Sequence, residues 1–208
     1  MLNVVRAGPI FRVMGMMDEH RCWEIIEAAR ADAGPAWADL DGRLQAALVR
    51  HLVTLSPAEV ARFGEYFRAL QHRGNRVDLF MAAFLIHHGC GDDSLGDFCA
   101  GLVGLGRDWY TRALRDPDAL ADHPAVRAVA AGQAGISVLL TEGFRYAPDR
   151  APQKLTGEEY DGYYDTGRPI LEQDGPGPGL LPRRLPGLAA LFPRQQQYLR
   201  EQYPQLTV

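Results

Sequence analysis

The sequence predicts an all-α protein: one multi-helix, bundle-like domain, with a Pro/Gly-rich, mostly irregular C-terminal tail packing back on it. Three observations carry this. Apolar residues recur three and four apart from about Asp18 to Tyr146. Glycine and proline punctuate that pattern at helix-length intervals. No run there alternates apolar and polar residues as a half-buried strand would. With 208 residues, the chain can bury roughly 70% of its unfolded surface around one core, so it needs no disulfide or metal.

The composition divides the chain into three parts: an arm over 1–17, a helical domain over 18–146 and a tail over 147–208. The first helix is expected from Asp18 to Ala33, with Cys22, Trp23, Ile25, Ile26 and Arg30 on its stripe. Gly34 and Pro35 stop it. Leu40, Leu44, Leu48 and Leu52 predict a second helix over Asp39 to Leu55. Ser56-Pro57-Ala58-Glu59 is a capping box: Ser caps, Pro takes the first helical position and Glu reaches back. It opens a third helix carrying Val60, Phe63, Phe67 and Leu70 and ending before Gly74.

A fourth helix, Arg76 to His88, is apolar nearly all round and is expected at the centre. A fifth starts near Ser94; Gly96, Gly101 and Gly104 in it suggest close approach to a neighbour, because glycine is a poor helix former. Arg107 to Arg115 is a sixth. Asp116-Pro117 caps a short helix, and Pro124 opens a last long one expected from Ala125 to Tyr146 on the stripe Val129, Ile136, Leu140 and Phe144. About seven helices follow, with antiparallel neighbours packed mostly in sequence order.

Nine of the 14 prolines fall between Pro148 and Pro204, and the run 174–179 is too rich in Gly and Pro for regular structure. Leu185, Leu188, Leu191 and Phe192 still mark a short helix, and Leu199 and Tyr203 follow Pro193; these need burial, so the tail is expected to return to the body.

Function is narrowed mainly by exclusion. The net charge of −4 gives no bulk attraction to nucleic acid or an anionic membrane. Lys154 is the only lysine among 22 basic residues and follows Gln153, so no phosphate-binding lysine loop exists. Asp92 stands where a serine-hydrolase elbow needs glycine. There is no Cys-x-x-Cys or paired-His zinc helix, and no cofactor is expected. Three cysteines, Cys22, Cys90 and Cys99, fit a reducing cytoplasm better than a disulfide framework. The stretch Ala128 to Thr141 is too short and polar to span a bilayer, and the N-terminus does not read as a signal peptide.

Three constellations are candidates. His87, His88, Cys90, Asp92 and Asp93, with Cys99 two turns on, are metal-ligand types, but a helix C-terminus followed by an Asp/Ser cap explains them better. Glu27, Asp93 and Arg107, with Trp23, Trp109 and Tyr110, would line a polar, aromatic-walled ligand pocket if their helices meet; the competing reading is an ion pair that fixes helix docking. Tyr160, Tyr163 and Tyr164, among Glu158, Glu159, Asp161 and Asp165, are a candidate interaction surface or an anchor for the tail. A non-enzymatic module that binds a protein partner is the leading expectation, a pocket-bearing ligand binder or enzyme the alternative.

Three segments in order then point to a family. They are Met17-Asp18-Glu19 with Cys22 to Arg30; Val77-Asp78-Leu79 with His88 to Leu95 and Phe98; and Gly106 to Tyr110 with Ala113-Leu114, Asp116-Pro117-Asp118 and Leu120-Ala121. Thr156-Gly157-Glu158 and Leu181 to Pro186 add to them. The chain resembles the bacterial family known as domain of unknown function 4240 over roughly Asp18 to Phe192, departing at Leu95-Gly96-Asp97. The resemblance implies a cytoplasmic, helical, single-domain protein and carries over no catalytic residue.

Overall fold

The computed structural model describes residues 17–36, 39–157 and 185–202. The protein is all-α, and among the described residues there is no strand. Helix α1 (Glu19–Ala33) starts on Asp18, whose carboxylate accepts the Arg21 N–H at 2.7 Å. Helix α2 (Leu40–Leu52) follows, then α3 (Pro57–Gly74). The expected capping box opens α3: Ser56 Oγ accepts the Glu59 N–H, and Glu59 accepts the Ser56 N–H.

Helix α4 (Val77–His87) is buried at every position from Leu79 to His87. Helix α5 (Asp92–Gly104) begins two residues before the expected Ser94, on Gly91 and without a side-chain cap. Helix α6 (Arg107–Arg115) leads into a 3-10 helix (Pro117–Asp122) whose first turn is capped by Asp116.

The long helix expected over Ala125 to Tyr146 is instead two. Helix α7 (Pro124–Ala130) stops because Gly132 takes a left-handed φ of 68°. The Gln133 N–H then bonds Ala128 O at 2.8 Å, and the Gly132 N–H bonds Val129 O at 3.0 Å. Both bonds together are a Schellman closure. Residues 131–141 form turns, and the chain resumes as α8 (Glu142–Arg145) and α9 (Ala147–Thr156). Ile136, placed on the stripe of the expected helix, is 45% exposed.

Packing is less sequential than the sequence suggests. Helix α2 lies on α1, α8 and α9, and α3 lies on α5 and α9. Phe63, Phe67, Phe98 and Phe144 form the fully buried centre, with Phe67 edge-on to Phe144 at 5.2 Å. The glycines of α5 do admit close neighbours. Gly96 faces the Arg145 guanidinium, Gly101 the Leu139 carbonyl, and Gly104 the side chains of Leu44 and Phe144. The approaching elements are chiefly α8 and the 131–141 turns.

The tail returns through α10 (Pro186–Leu191), which packs on the 3-10 helix and α4, and α11 (Pro193–Gln202), which packs on α10 and α4. Leu185, Leu188, Ala189 and Phe192 are buried there.

One buried acid makes stability depend on pH. Asp149 of α9 lies 3.8 Å from Arg68, and its Oδ2 has no hydrogen-bond partner among the described residues. Burial, only partly offset by Arg68, pushes its carboxyl from 3.8 up to about 6. The folded chain therefore holds a proton that the unfolded chain has lost between those values, so this group lowers stability as pH rises through that window. Asp149→Asn is expected to add about 1–2 kcal/mol at pH 8 and nothing below pH 4. Urea titrations at the two pH values check this.

Candidate functional site

The residues first suspected of forming a pocket meet only in part. Glu27 and Arg30 lie one turn apart on α1 and are ion-paired. Glu27 Oε1 also accepts the backbone N–H of Arg107 at 2.8 Å, the first free amide of α6. Arg30 Nε donates to Gly104 O at 2.8 Å, at the end of α5. An acid thus sits at a helix N-terminus and a base at a helix C-terminus, each where the helix dipole favours it. One ion pair docks two helix ends on α1.

Gly106, between those ends, has φ 92°, and a Cβ there would lie 2.2 Å from Arg30 Nη1. Only glycine lets the guanidinium cross the turn.

Trp23 and Tyr110 are buried, their rings 5.2 Å apart. The Tyr110 hydroxyl donates to Leu70 O at 2.7 Å. Burial raises its pKa, so it stays protonated. Trp109 is half-buried. His123 meets its ring edge-on at 4.6 Å, and the Arg112 guanidinium covers it at 4.1 Å. His123 Nδ1 accepts the Ala125 N–H at 3.2 Å and so starts α7. Burial, with Arg30 and Arg112 nearby, lowers its pKa to about 4, which keeps the ring uncharged at neutral pH.

Glu27, Arg30, Trp109 and His123 border a cleft of about 480 Å³ together with Leu40 and Leu44 among others, whereas Trp23 and Tyr110, expected in its wall, are buried in the core and do not line it. Two expectations need correction. Arg107 is exposed and enters the network through its backbone, not its guanidinium. Asp93 is exposed near the start of α5, about 16 Å along that helix from Gly104. It belongs to a different region. Sequence reasoning missed His123, took Gly104 only for a close-approach glycine and Arg30 only for a stripe residue; the acid-to-base spacing from Glu27 to Arg30 was the available signal.

A second cleft, about 500 Å³, lies between Asp39–Asp41 and the 133–140 turns. The Asp41 carboxylate is occupied there by the Gly143 and Phe144 N–H groups at 2.9 and 2.8 Å.

The His/Cys cluster disperses. His87 turns inward, bonds Ile136 O through Nδ1 and packs edge-on against Phe98. His88 meets Phe192, and Cys99 is buried against Gly74. Among the described residues no three His, Cys, Asp or Glu side chains are grouped to hold a metal ion. Nor is any helix among them long and apolar enough to cross a membrane. Tyr160, Tyr163 and Tyr164 lie outside the described residues.

A family model described as protein of unknown function (DUF4240) matches residues 17–150. The chain belongs to the DUF4240 family. No curated protein and no solved structure matches it. The whole cleft, from Glu27 to Pro124, lies within the DUF4240 match, whereas α10 and α11 lie beyond it.

Proposed function

We propose that this DUF4240 protein is a non-enzymatic helical interaction module whose cleft receives an apolar side chain of a protein partner. One observation carries the reading: the polar groups of the cleft hold helices together, while its apolar walls are open. Glu27 is engaged by Arg107 N–H and Arg30, Arg30 by Gly104 O, and His123 Nδ1 by Ala125 N–H. A general acid or base must instead present its lone pair or proton to a substrate. What meets a visitor is Pro35, Leu40, Trp109 and Pro124, edged by Glu27 and Arg30. An apolar centre with a charged rim is how protein interfaces seat their anchors.

The cleft volume favours a second reading, a small-molecule site, since such sites span ~300–1,000 Å³. Against it, the cleft opens broadly to solvent and would leave much of a small ligand wet. Cys22 and Cys99, both buried free thiols, support a reducing, cytoplasmic setting. The acidic net charge supports a partner other than nucleic acid. Tyr160, Tyr163 and Tyr164 are proposed as a further contact surface.

A photo-crosslinking residue at Pro35, on the exposed cleft rim, tests the reading in the producing cells. The expected result is one protein adduct of defined mass that disappears when exposed Ala31, also on the rim, is changed to Arg. No specific adduct would overturn the proposal. An adduct of a few hundred daltons would replace it with the small-molecule reading.

A further inference from the structure

Helix α6 turns one whole face to solvent. Arg107, Asp108, Thr111, Arg112 and Arg115 are exposed, while Tyr110 and Ala113 are buried beneath them. At about 3.6 residues per turn the five lie on one side of the helix. The face carries three arginines and one aspartate, a positive excess on a chain whose net charge is −4.

Two of those arginines are uncommitted. Arg112 covers the Trp109 ring at 4.1 Å and reaches Asp122 at 3.9 Å. The guanidinium groups of Arg107 and Arg115 form no ion pair and no hydrogen bond among the described residues. Exposed Arg21, Arg62 and Arg127, on other helices, are each paired, with Glu24, Glu65 and Asp122.

The end of α3 runs alongside this helix and adds to its field. The Tyr110 hydroxyl donates to Leu70 O, and Arg76 Nη1 donates to Leu114 O at 2.6 Å. Arg73, at the end of α3, meets Glu19 at 2.8 Å. That bond holds the Glu19 carboxyl below its ordinary range, and the charge of Arg107 pulls the same way. One carboxylate thus answers two guanidinium groups.

The spacing defines the visitor. Arg107, Thr111 and Arg115 stand four apart in the helix, so the two arginines are rooted about 12 Å from each other with a hydroxyl midway. Carboxylates at i, i+4 and i+8 of a second helix repeat that spacing. A guanidinium grips a carboxylate through two parallel N–H donors. Asp108 on the same face repels an evenly charged strand such as a phosphate backbone. We propose that this face of α6 docks an acidic helix of a partner protein, Arg107 and Arg115 each receiving a carboxylate and the Thr111 hydroxyl donating to one between them. None of the three lines the cleft, so the inference does not rest on the reading of it.

The test titrates the full chain with a fluorescent alanine-based helical peptide bearing three glutamates four apart, followed by anisotropy at about 50 mM salt. The peptide is expected to bind, and its glutamine counterpart to bind at least about tenfold more weakly. Arg107→Gln with Arg115→Gln is expected to cost about tenfold or more, since two charge-assisted pairings are lost. Arg50→Gln with Arg62→Gln makes the same change in net charge on other helices and is expected to leave binding within about twofold. Failure of the glutamate peptide to bind overturns the inference, as does an equal loss in both double variants or no loss in the first. Tighter binding of a single-stranded oligonucleotide of equal charge gives the face to nucleic acid and overturns it too. Binding that emerges only after Glu158, Glu159, Asp161 and Asp165 are neutralised assigns the face to this chain's own acidic segment and overturns the external partner.

Discussion

Gly101→Ala is expected to destabilise the protein by about 3 kcal/mol or more. Two effects compete. Alanine is the better helix former by ~1 kcal/mol in a helix interior. Its Cβ, however, would lie 2.0 Å from Leu139 O and 2.9 Å from Leu139 C. These are backbone atoms, so no rotamer change relieves the clash. Leu139 is itself fully buried, and its segment is tied to α5 by the Thr141 N–H to Asp97 O bond at 3.3 Å. Either α5 or the 131–141 turns must move, and packing loses. Gly64→Ala in α3 is the control: its Cβ would meet the end of the Arg68 side chain at 3.2 Å, which can swing away. That variant should lose far less than Gly101→Ala, its one cost being a shifted Arg68–Asp149 contact. Denaturant melts of the two variants check the contrast; equal stabilities would show that α5 and Leu139 are not in the contact described.

The second large effect concerns the ion pair of Asp97 and Arg145. Arg145 Nη1 meets Asp97 Oδ1 at 3.1 Å, with side chains only 8% and 17% exposed. Gly96 leaves the room that the guanidinium fills. Burial holds the Asp97 carboxyl above its ordinary range even though Arg145 pulls it down, so desolvation outweighs attraction at this acid. Such a pair adds little net stability, but breaking it strands a charge. Asp97→Ala should therefore cost about 3–5 kcal/mol, and adding Arg145→Met should recover most of the loss. A double-mutant cycle measures both. A double variant as unstable as Asp97→Ala alone would show that the cost comes from something other than the orphaned guanidinium.

What the sequence disclosed follows the range of the interactions involved. The α3 capping box and the all-apolar α4 are local patterns and were legible. The break after α7 was local too, but Val129, Ile136, Leu140 and Phe144 continue a helical period across it. The period masked Gly132, whose left-handed turn ends the helix. At the site, Glu27, Trp109 and the buried Trp23–Tyr110 pair were visible as an acid among aromatic stripes. His123 and the true roles of Gly104 and Arg30 were not, because each acts through a helix end brought in by tertiary packing. Asp93 was grouped with Glu27 on residue type alone, although the length of α5 separates it from the cleft.

Binding of a partner protein in the Glu27–Arg30–Trp109 cleft is a proposal open to direct measurement. Native mass spectrometry of the full chain, purified gently from the cells that make it, tests this most directly when run beside Ala31→Arg. The expected result is a complex with one partner protein at fixed stoichiometry for the unaltered chain and a bare chain for the variant. A partner retained equally by both, a bare chain in both, or a bound mass of a few hundred daltons would contradict it.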